Sequence, residues 1–149
     1  MQGIVELLDE QLQYIEHTLE SSILKIRVAS KRTSGSCIYC GVESISVHSV
    51  YERRLQDLPI QGKKVTLIIN RRKYFCLNKE CSKKTFAEQF DFFKGNERKT
   101  LRLQEAILEV SLTQSSLSAS KYLRRNVADV GKSTLCNMLK KRDQNNGKG

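Results

Sequence analysis

The chain has 149 residues, of which 39% are hydrophobic and 28% charged, a composition typical of a folded globular protein and too apolar for a wholly disordered one. No stretch approaches the roughly 18 consecutive apolar residues of a membrane span, and the acidic start of the chain argues against a signal peptide, so we expect a cytoplasmic protein with no membrane partner. The net charge of +10 comes from 26 Lys and Arg against 16 Asp and Glu and favours a polyanionic partner such as nucleic acid.

The first part of the chain predicts a short helix followed by a β-hairpin. Apolar residues recur at helical spacing in residues 3–8. Residues 13–19 and 22–30 alternate in polarity like two strands, and residues 20–21 between them predict the turn. We therefore expect residues 1–36 to form an N-terminal helix and β-hairpin.

Four of the five cysteines fall into two close pairs, the first separated by two residues and the second by four. In a reducing cytoplasm such pairs indicate metal binding rather than disulfides. Residues 45–55 and 63–75 alternate in polarity as two strands joined by a turn at residues 57–62, and this hairpin would bring the pairs together. We predict a zinc ribbon over residues 37–93 that holds a structural Zn²⁺ with four thiolates. The predicted ligands are Cys37, Cys40, Cys76 and Cys81.

Other interpretations of the cysteines stay open at this point. The pairs could be reduced thiols in a strand core or a redox pair, and His48 could replace one cysteine, although it lies mid-strand and far from both pairs in the sequence. Cys136 stands apart from the four. A catalytic zinc is the least favoured interpretation, because four thiolates leave no open coordination position.

The pattern changes from period two to helical period after a domain boundary at residues 94–99. Helices are predicted over residues 100–112, with the first residue as N-cap, then over about 116–125 and 132–142. The last two helices have the order and lengths of a helix-turn-helix. The predicted fold is therefore α+β: an N-terminal β-hairpin and a zinc ribbon followed by a three-helix, helix-turn-helix DNA-binding domain over residues 100–142.

In a helix-turn-helix the last helix enters the major groove of DNA. Its outward side chains here mix amide and hydroxyl groups that read bases with ammonium groups that bind phosphates, and Asn137 is the main candidate for a base contact. The alternative is a three-helix packing unit whose charged face is only solvated. The predicted DNA-contacting residues of this domain are Arg124, Arg125, Lys132, Ser133, Asn137, Lys140 and Lys141.

A second basic run lies in the predicted second strand of the ribbon, at Arg71, Arg72 and Lys73. Successive residues of a strand point to opposite faces, so these three side chains need not form one patch. We give DNA contact and ordinary solvation equal weight for this run.

With these residues placed, the chain resembles the N-terminal region of transposases of the ISL-three type of insertion sequence, over nearly its whole length. The matching stretches are residues 37–41 (CIYCG), 47–59 (VHSVYERRLQDLP), 71–76 (RRKYFC) with Cys81, and 85–88 (TFAE). The resemblance implies that the four paired cysteines hold the metal and that the helical segment through Lys141 binds double-stranded DNA at the terminal inverted repeats of the element.

In the family that the chain resembles, a large domain with three metal-binding carboxylates follows the helix-turn-helix and performs strand cleavage and transfer. The chain ends before such a domain, so we expect a non-catalytic, nucleoid-associated bacterial protein, either a truncated gene product or the first part of an interrupted one. Such a chain would compete with, or associate with, a full-length transposase or another copy of itself. The alternative function is a zinc-stapled protein-interaction or regulatory module whose basic face meets an acidic protein.

Overall fold

The computed structural model describes the backbone of residues 1–112, 116–129 and 131–146, and their side chains except at residues 116, 126, 132 and 142–146. None of the described helices has the length and apolar character needed to cross a membrane. The elements, in chain order, are α1 (Gln2–Leu8), β1 (Leu12–Glu20), β2 (Ile23–Ser30), β3 (Gly35–Ser36), β4 (Glu43–Ser44), β5 (Val47–Ile60), β6 (Lys63–Phe75), β7 (Thr85–Ala87), α2 (Leu101–Ser111), α3 (Ser116–Asn126) and α4 (Lys132–Asn146).

The predicted α+β class is confirmed, with strands in the first two thirds of the chain and α2, α3 and α4 after them. The main sheet has the order β1-β2-β6-β5, and β7 pairs with the end of β6. The pairs β1–β2 and β5–β6 are antiparallel, whereas β2 and β6 are parallel. The sheet therefore runs across the boundary that the sequence predicts at residue 36, and the N-terminal hairpin shares one sheet with the ribbon strands.

Both hairpin turns lie slightly later in the chain than predicted. The first turn is made by Ser21 and Ser22, whose φ angles of 51° and 67° give the left-handed backbone that tight hairpins need. The second strand pair extends to Ile60, so the prediction of a turn over residues 57–62 was wrong for most of that range. A register shift between Asp57 and Ile60 accommodates Pro59, which has no N–H to donate, inside an edge strand.

One face of the sheet packs against α1 and against three phenylalanines that follow β7. The phenylalanine rings lie 5.1–5.7 Å apart, centroid to centroid. This buried cluster fixes α1 to the sheet. Its buried members are Val5, Leu12, Ile26, Val28, Leu55, Val65, Leu67, Ile69, Phe90, Phe92 and Phe93.

A second apolar core lies between α2, α3 and α4. The Thr100 hydroxyl accepts a hydrogen bond from the Leu103 amide at 3.3 Å, so the predicted N-cap of α2 is confirmed. The helix α4 continues to Asn146, beyond the predicted end at residue 142. The buried members of this core are Leu103, Ile107, Ala119, Leu123, Ala128 and Leu135.

Residues 94–99, predicted as a domain boundary, and the following Thr100 are hydrogen-bonded to the sheet along β5. The Gln56 amide donates to the Arg98 carbonyl at 2.8 Å, and the Gln56 carbonyl accepts from the Thr100 amide at 3.0 Å. The Arg53 guanidinium donates to the carbonyls of Gly95 and Glu97 at 2.8 and 2.7 Å. The helices are therefore joined to the ribbon by hydrogen-bonded main chain.

Candidate metal centre and nucleic-acid interface

The sulfur atoms of the four paired cysteines form one cluster, in which all of them lie within 4.8 Å of one another. The Cys37 and Cys81 sulfurs are 4.0 Å apart, and the Cys40 and Cys76 sulfurs are 3.6 Å apart. A tetrahedral zinc–thiolate site with Zn–S bonds of about 2.3 Å requires S···S separations of roughly 3.8 Å. The cluster therefore fits a zinc ion with four thiolate ligands.

The first knuckle is held by main-chain hydrogen bonds around Cys37. Its amide donates to the Val42 carbonyl at 3.0 Å, and its carbonyl accepts from the Gly41 amide at 2.8 Å. Gly41 has a φ of +80°, a conformation that other residues adopt only with strain. The glycine after the first cysteine pair is therefore required by the turn that brings Cys40 back toward Cys37.

The Cys37 sulfur accepts a hydrogen bond from the Tyr39 amide at 3.4 Å, two residues further along the chain. The backbone amides two residues after the other three cysteines, those of Val42, Asn78 and Lys83, each lower the pKa of the corresponding thiol. Four thiolates around a divalent cation carry a net negative charge, and amide dipoles that point at sulfur stabilise that charge. The cysteine spacing predicts the ligands but carries no signal of this outer layer of hydrogen bonds, except for the glycine that permits the first turn.

The amides act unequally on the thiols. The Val42 amide lowers the pKa of the Cys40 thiol to about 7, against the effect of burial. The Asn78 amide lowers the pKa of Cys76, but burial and the neighbouring thiols outweigh it and raise the pKa to about 12. The Cys40 thiol therefore ionises at a lower pH than the Cys76 thiol, and the metal must displace the proton of Cys76.

Two buried aromatic rings pack against the cysteines of the sulfur cluster. Tyr74 and Phe86 are stacked at 5.6 Å between centroids, and both are buried together with Cys37. A Cβ atom at Gly35 would lie 2.9 Å from the Tyr74 ring, closer than real side chains approach, so this position requires glycine. These three residues support the site, and the cysteine spacing gave no signal of them.

His48 does not belong to the sulfur cluster. Its ring packs edge-on against Phe75 with 4.9 Å between centroids, and its Nδ1 lies 2.9 Å from the Ser49 hydroxyl. Among the residues that the structure describes, the group of potential metal ligands at this site consists of the four cysteines. The alternatives of a His48 ligand, of reduced thiols in a strand core and of a redox pair are therefore not supported.

The predicted DNA-contacting residues of the helices lie on exposed surfaces, with one exception that is outside the described residues. Leu135 is buried, and Met138 and Leu139 are half-buried, on the inner side of α4. The side chain of Lys132 is outside the described residues, so its exposure stays a prediction. The exposed candidates are Arg124, Arg125, Ser133, Asn137, Lys140 and Lys141.

The two arginines of the basic run on β6 bond to main-chain carbonyls of the protein itself. Arg71 is only 4% exposed, and its guanidinium donates to the carbonyls of Glu88 and Gly95 at 2.7 and 3.3 Å. The half-buried Arg72 donates to a main-chain carbonyl of residue 32, and Lys73 is half-buried. Burial rules out a DNA contact by Arg71, because on this strand the odd positions face the phenylalanine cluster.

Residues 33–81 match the protein family described as the zinc-finger of transposase IS204/IS1001/IS1096/IS1165. The matched segment contains both cysteine pairs and the strands β5 and β6. The segment is thus a zinc ribbon of the ISL-three transposase type, as the resemblance predicted, and its four cysteines form a structural zinc site. The helices α2, α3 and α4 lie outside the matched segment. No curated protein and no solved structure matches the chain.

Proposed function

We propose that this chain, whose residues 33–81 form a transposase-type zinc ribbon, is a DNA-binding module that recognises the terminal inverted repeats of an insertion sequence through α3 and α4. In this proposal α3 and α4 form a helix-turn-helix, and α4 enters the major groove. Zinc stabilises the ribbon and takes no part in chemistry, because four thiolates occupy its coordination positions. Strand cleavage and transfer are outside the activity that we propose for this chain.

The exposed face of α4 is the observation that supports this function. Asn137 and Ser133 lie one turn apart on the exposed side of a helix whose Leu135 is fully buried. An amide can make two hydrogen bonds to the edge of adenine, and a hydroxyl can contact several bases. The exposed Lys140 and Lys141 follow on the same helix and would bind phosphates.

Binding to duplex DNA tests the proposal directly. The wild-type chain is used to select a preferred duplex from a random pool, and its affinity for that duplex and for a scrambled duplex is measured by fluorescence anisotropy at several salt concentrations. We expect Asn137→Ala to weaken binding to the selected duplex by about tenfold and to leave the scrambled duplex nearly unaffected. Asn70→Ala, which removes an exposed amide from the sheet, is the matched control. Equal affinity for both duplexes in the wild-type chain would contradict recognition by α4.

Exposed apolar side chains on the ribbon favour a second candidate function, the binding of another protein. Ile38, Tyr39 and Leu77, next to the metal ligands, are each 55% exposed, and Ile45 is 74% exposed. Exposed apolar residues grouped on one part of a surface mark interaction sites. A protein partner, including a second copy of this chain, would bind with little dependence on salt, whereas release of counterions makes DNA binding fall steeply with salt.

A further inference from the structure

A basic groove follows the outer edge of β5, on the side away from β6. Its volume is about 670 Å³, and none of its lining residues belongs to α3 or α4. We call it the β5 groove. It is lined by Glu52, Arg53, Arg54, Asn96 and Arg98.

The positive charge of the β5 groove is accessible to a ligand. The Arg54 side chain is 60% exposed and forms an ion pair with Glu52 at 3.4 Å, and Arg98 is exposed. Glu52, the acid among the lining residues, also accepts a hydrogen bond from Arg27 at 3.1 Å, and this bond lowers the pKa of its carboxyl group. The negative charge of Glu52 is therefore shared between two arginines, and the groove keeps a net positive charge.

The wall of the groove is held in place by the Arg53 side chain. The Arg53 guanidinium donates to two main-chain carbonyls of residues 95 and 97 and lies 5.3 Å from the centre of the Phe93 ring. It therefore holds the segment that carries Asn96 and Arg98 at a fixed place beside β5. The exposed Arg54 and Arg98 therefore line the same groove.

The edge of β5 adds a main-chain donor. The N–H and C=O groups of Gln56 both point away from β6, because the N–H donates to the Arg98 carbonyl and the C=O accepts from the Thr100 amide. Peptide groups along a strand alternate in direction, and the register from Arg54 to Gln56 is regular. The Arg54 amide N–H therefore faces the groove, next to its own guanidinium, as a hydrogen-bond donor for an anion.

The geometry points to the β5 groove as a binding site for the phosphodiester backbone of DNA, separate from the recognition helix. This inference rests on the proposed function for the nature of the polyanion. The groove and the helices have a fixed relation, since Gln56 also accepts a hydrogen bond from the Asp129 amide at 3.1 Å, just before α4. A duplex read by α4 would be held in register by phosphates in the groove.

The test compares charge removal in the groove with equal charge removal elsewhere in the full chain. Arg54→Gln and Arg98→Gln are combined in one variant, and Lys79→Gln and Lys84→Gln, exposed residues of the second knuckle, form the control. Zinc content and thermal unfolding establish that both variants are folded. The affinity for the selected and scrambled duplexes is then measured against salt concentration.

We expect the groove variant to lose affinity for both duplexes by the same factor, and the slope of log Kd against log salt to fall by about 1.8 for two lost phosphate contacts. An unchanged slope, or an equal loss in the knuckle variant, overturns the inference. If Asn137→Ala weakens selective binding while the groove variant binds normally, only the proposed phosphate binding by the β5 groove is contradicted. If only the groove variant loses affinity, recognition by α4 is contradicted and phosphate binding by the groove is supported. If the wild-type chain binds neither duplex, both proposals are contradicted.

Discussion

The Asp57 carboxylate near the end of β5 accepts two hydrogen bonds from the Arg102 guanidinium in the first turn of α2. Asp57 is 3% exposed, and the Thr100 hydroxyl donates to it at 2.7 Å. The hydrogen bond to the Asp57 carboxylate raises the pKa of the Arg102 guanidinium. This pair therefore joins the ribbon to the helices across the predicted domain boundary.

Breaking the pair should destabilise the whole chain. Asp57→Ala leaves the Arg102 guanidinium and the Thr100 hydroxyl without their acceptor, and we expect a loss of about 3 kcal/mol in the free energy of unfolding. The measurement is urea unfolding of the zinc-loaded protein, with Arg102→Ala and the double variant completing a double-mutant cycle. Additive effects of the two substitutions would show that the residues are not coupled.

Zinc binding should release fewer than four protons at pH 7.5. With its pKa at about 7, Cys40 is mostly ionised before the metal binds, whereas Cys76, with a pKa of about 12, still carries its proton. Because the lowered pKa favours the Cys40 thiolate in the folded chain, its stabilising effect is present above the pKa of the unfolded thiol and is lost as the pH falls through 7.

Calorimetry of zinc binding in buffers of different ionisation enthalpy counts the released protons. We expect the count to rise, and the zinc affinity to fall, as the pH is lowered from 8 to 6, because protons compete with zinc for the thiolates. Cys40→Ser should reduce zinc affinity and remove this rise near neutral pH. A count of four that does not change over this range would contradict early ionisation of Cys40.

Removal of the Tyr74 hydroxyl should not weaken the protein. This oxygen is buried and has no hydrogen-bond partner among the described residues, so Tyr74→Phe removes an unsatisfied polar group and keeps the ring stacked on Phe86. We expect stability to be unchanged or raised by up to about 1 kcal/mol, measured by thermal unfolding of the zinc-loaded chain. Thr100→Val is the contrasting variant, because its buried hydroxyl is bonded to Asp57, and it should destabilise.

A methyl group at Gly35 should disturb the two aromatic rings that pack against the zinc site. The added Cβ would meet the Tyr74 ring at 2.9 Å and the Phe86 ring at 3.2 Å, and overpacking of this kind costs about 1–3 kcal/mol. We expect Gly35→Ala to lower the unfolding temperature and to speed the loss of zinc to a chelator. Gly3→Ala, where nothing lies within 4 Å of the new methyl group, is the control and should retain zinc like the wild-type chain.

Local patterns were sufficient for the ligands and for the helices. The two cysteine pairs and the helical periodicity after residue 99 are properties of neighbouring residues. The predicted zinc cluster and helix positions agree with the structure, except for the later end of α4. The parallel pairing of β2 with β6 could not be predicted this way. It joins segments far apart in the chain, and an alternating pattern gives a strand's faces but not its neighbours.

The burial of Arg71 likewise could not be predicted from the local sequence. Alternation placed Arg71 and Arg72 on opposite faces, but which face is buried depends on the three phenylalanines after β7. Residues 94–99 were predicted as a boundary from the change to helical period, yet the arginines at positions 53 and 71 both bond to the Gly95 carbonyl. Such long-range contacts are set by the packed sheet and are not visible in the local sequence.

The parallel pairing of β2 with β6 also fixes an order of assembly during synthesis. The N-terminal hairpin is made first, but the inner edge of β2 has no partner until β6 emerges. Cys76 follows directly after β6, so capture of zinc draws β6 toward the chain that already holds Cys40. Closing this long loop with a metal offsets part of its entropic cost. We therefore expect zinc to favour this pairing over pairing of the nascent edge strand with other chains, although none of the four cysteines belongs to that sheet.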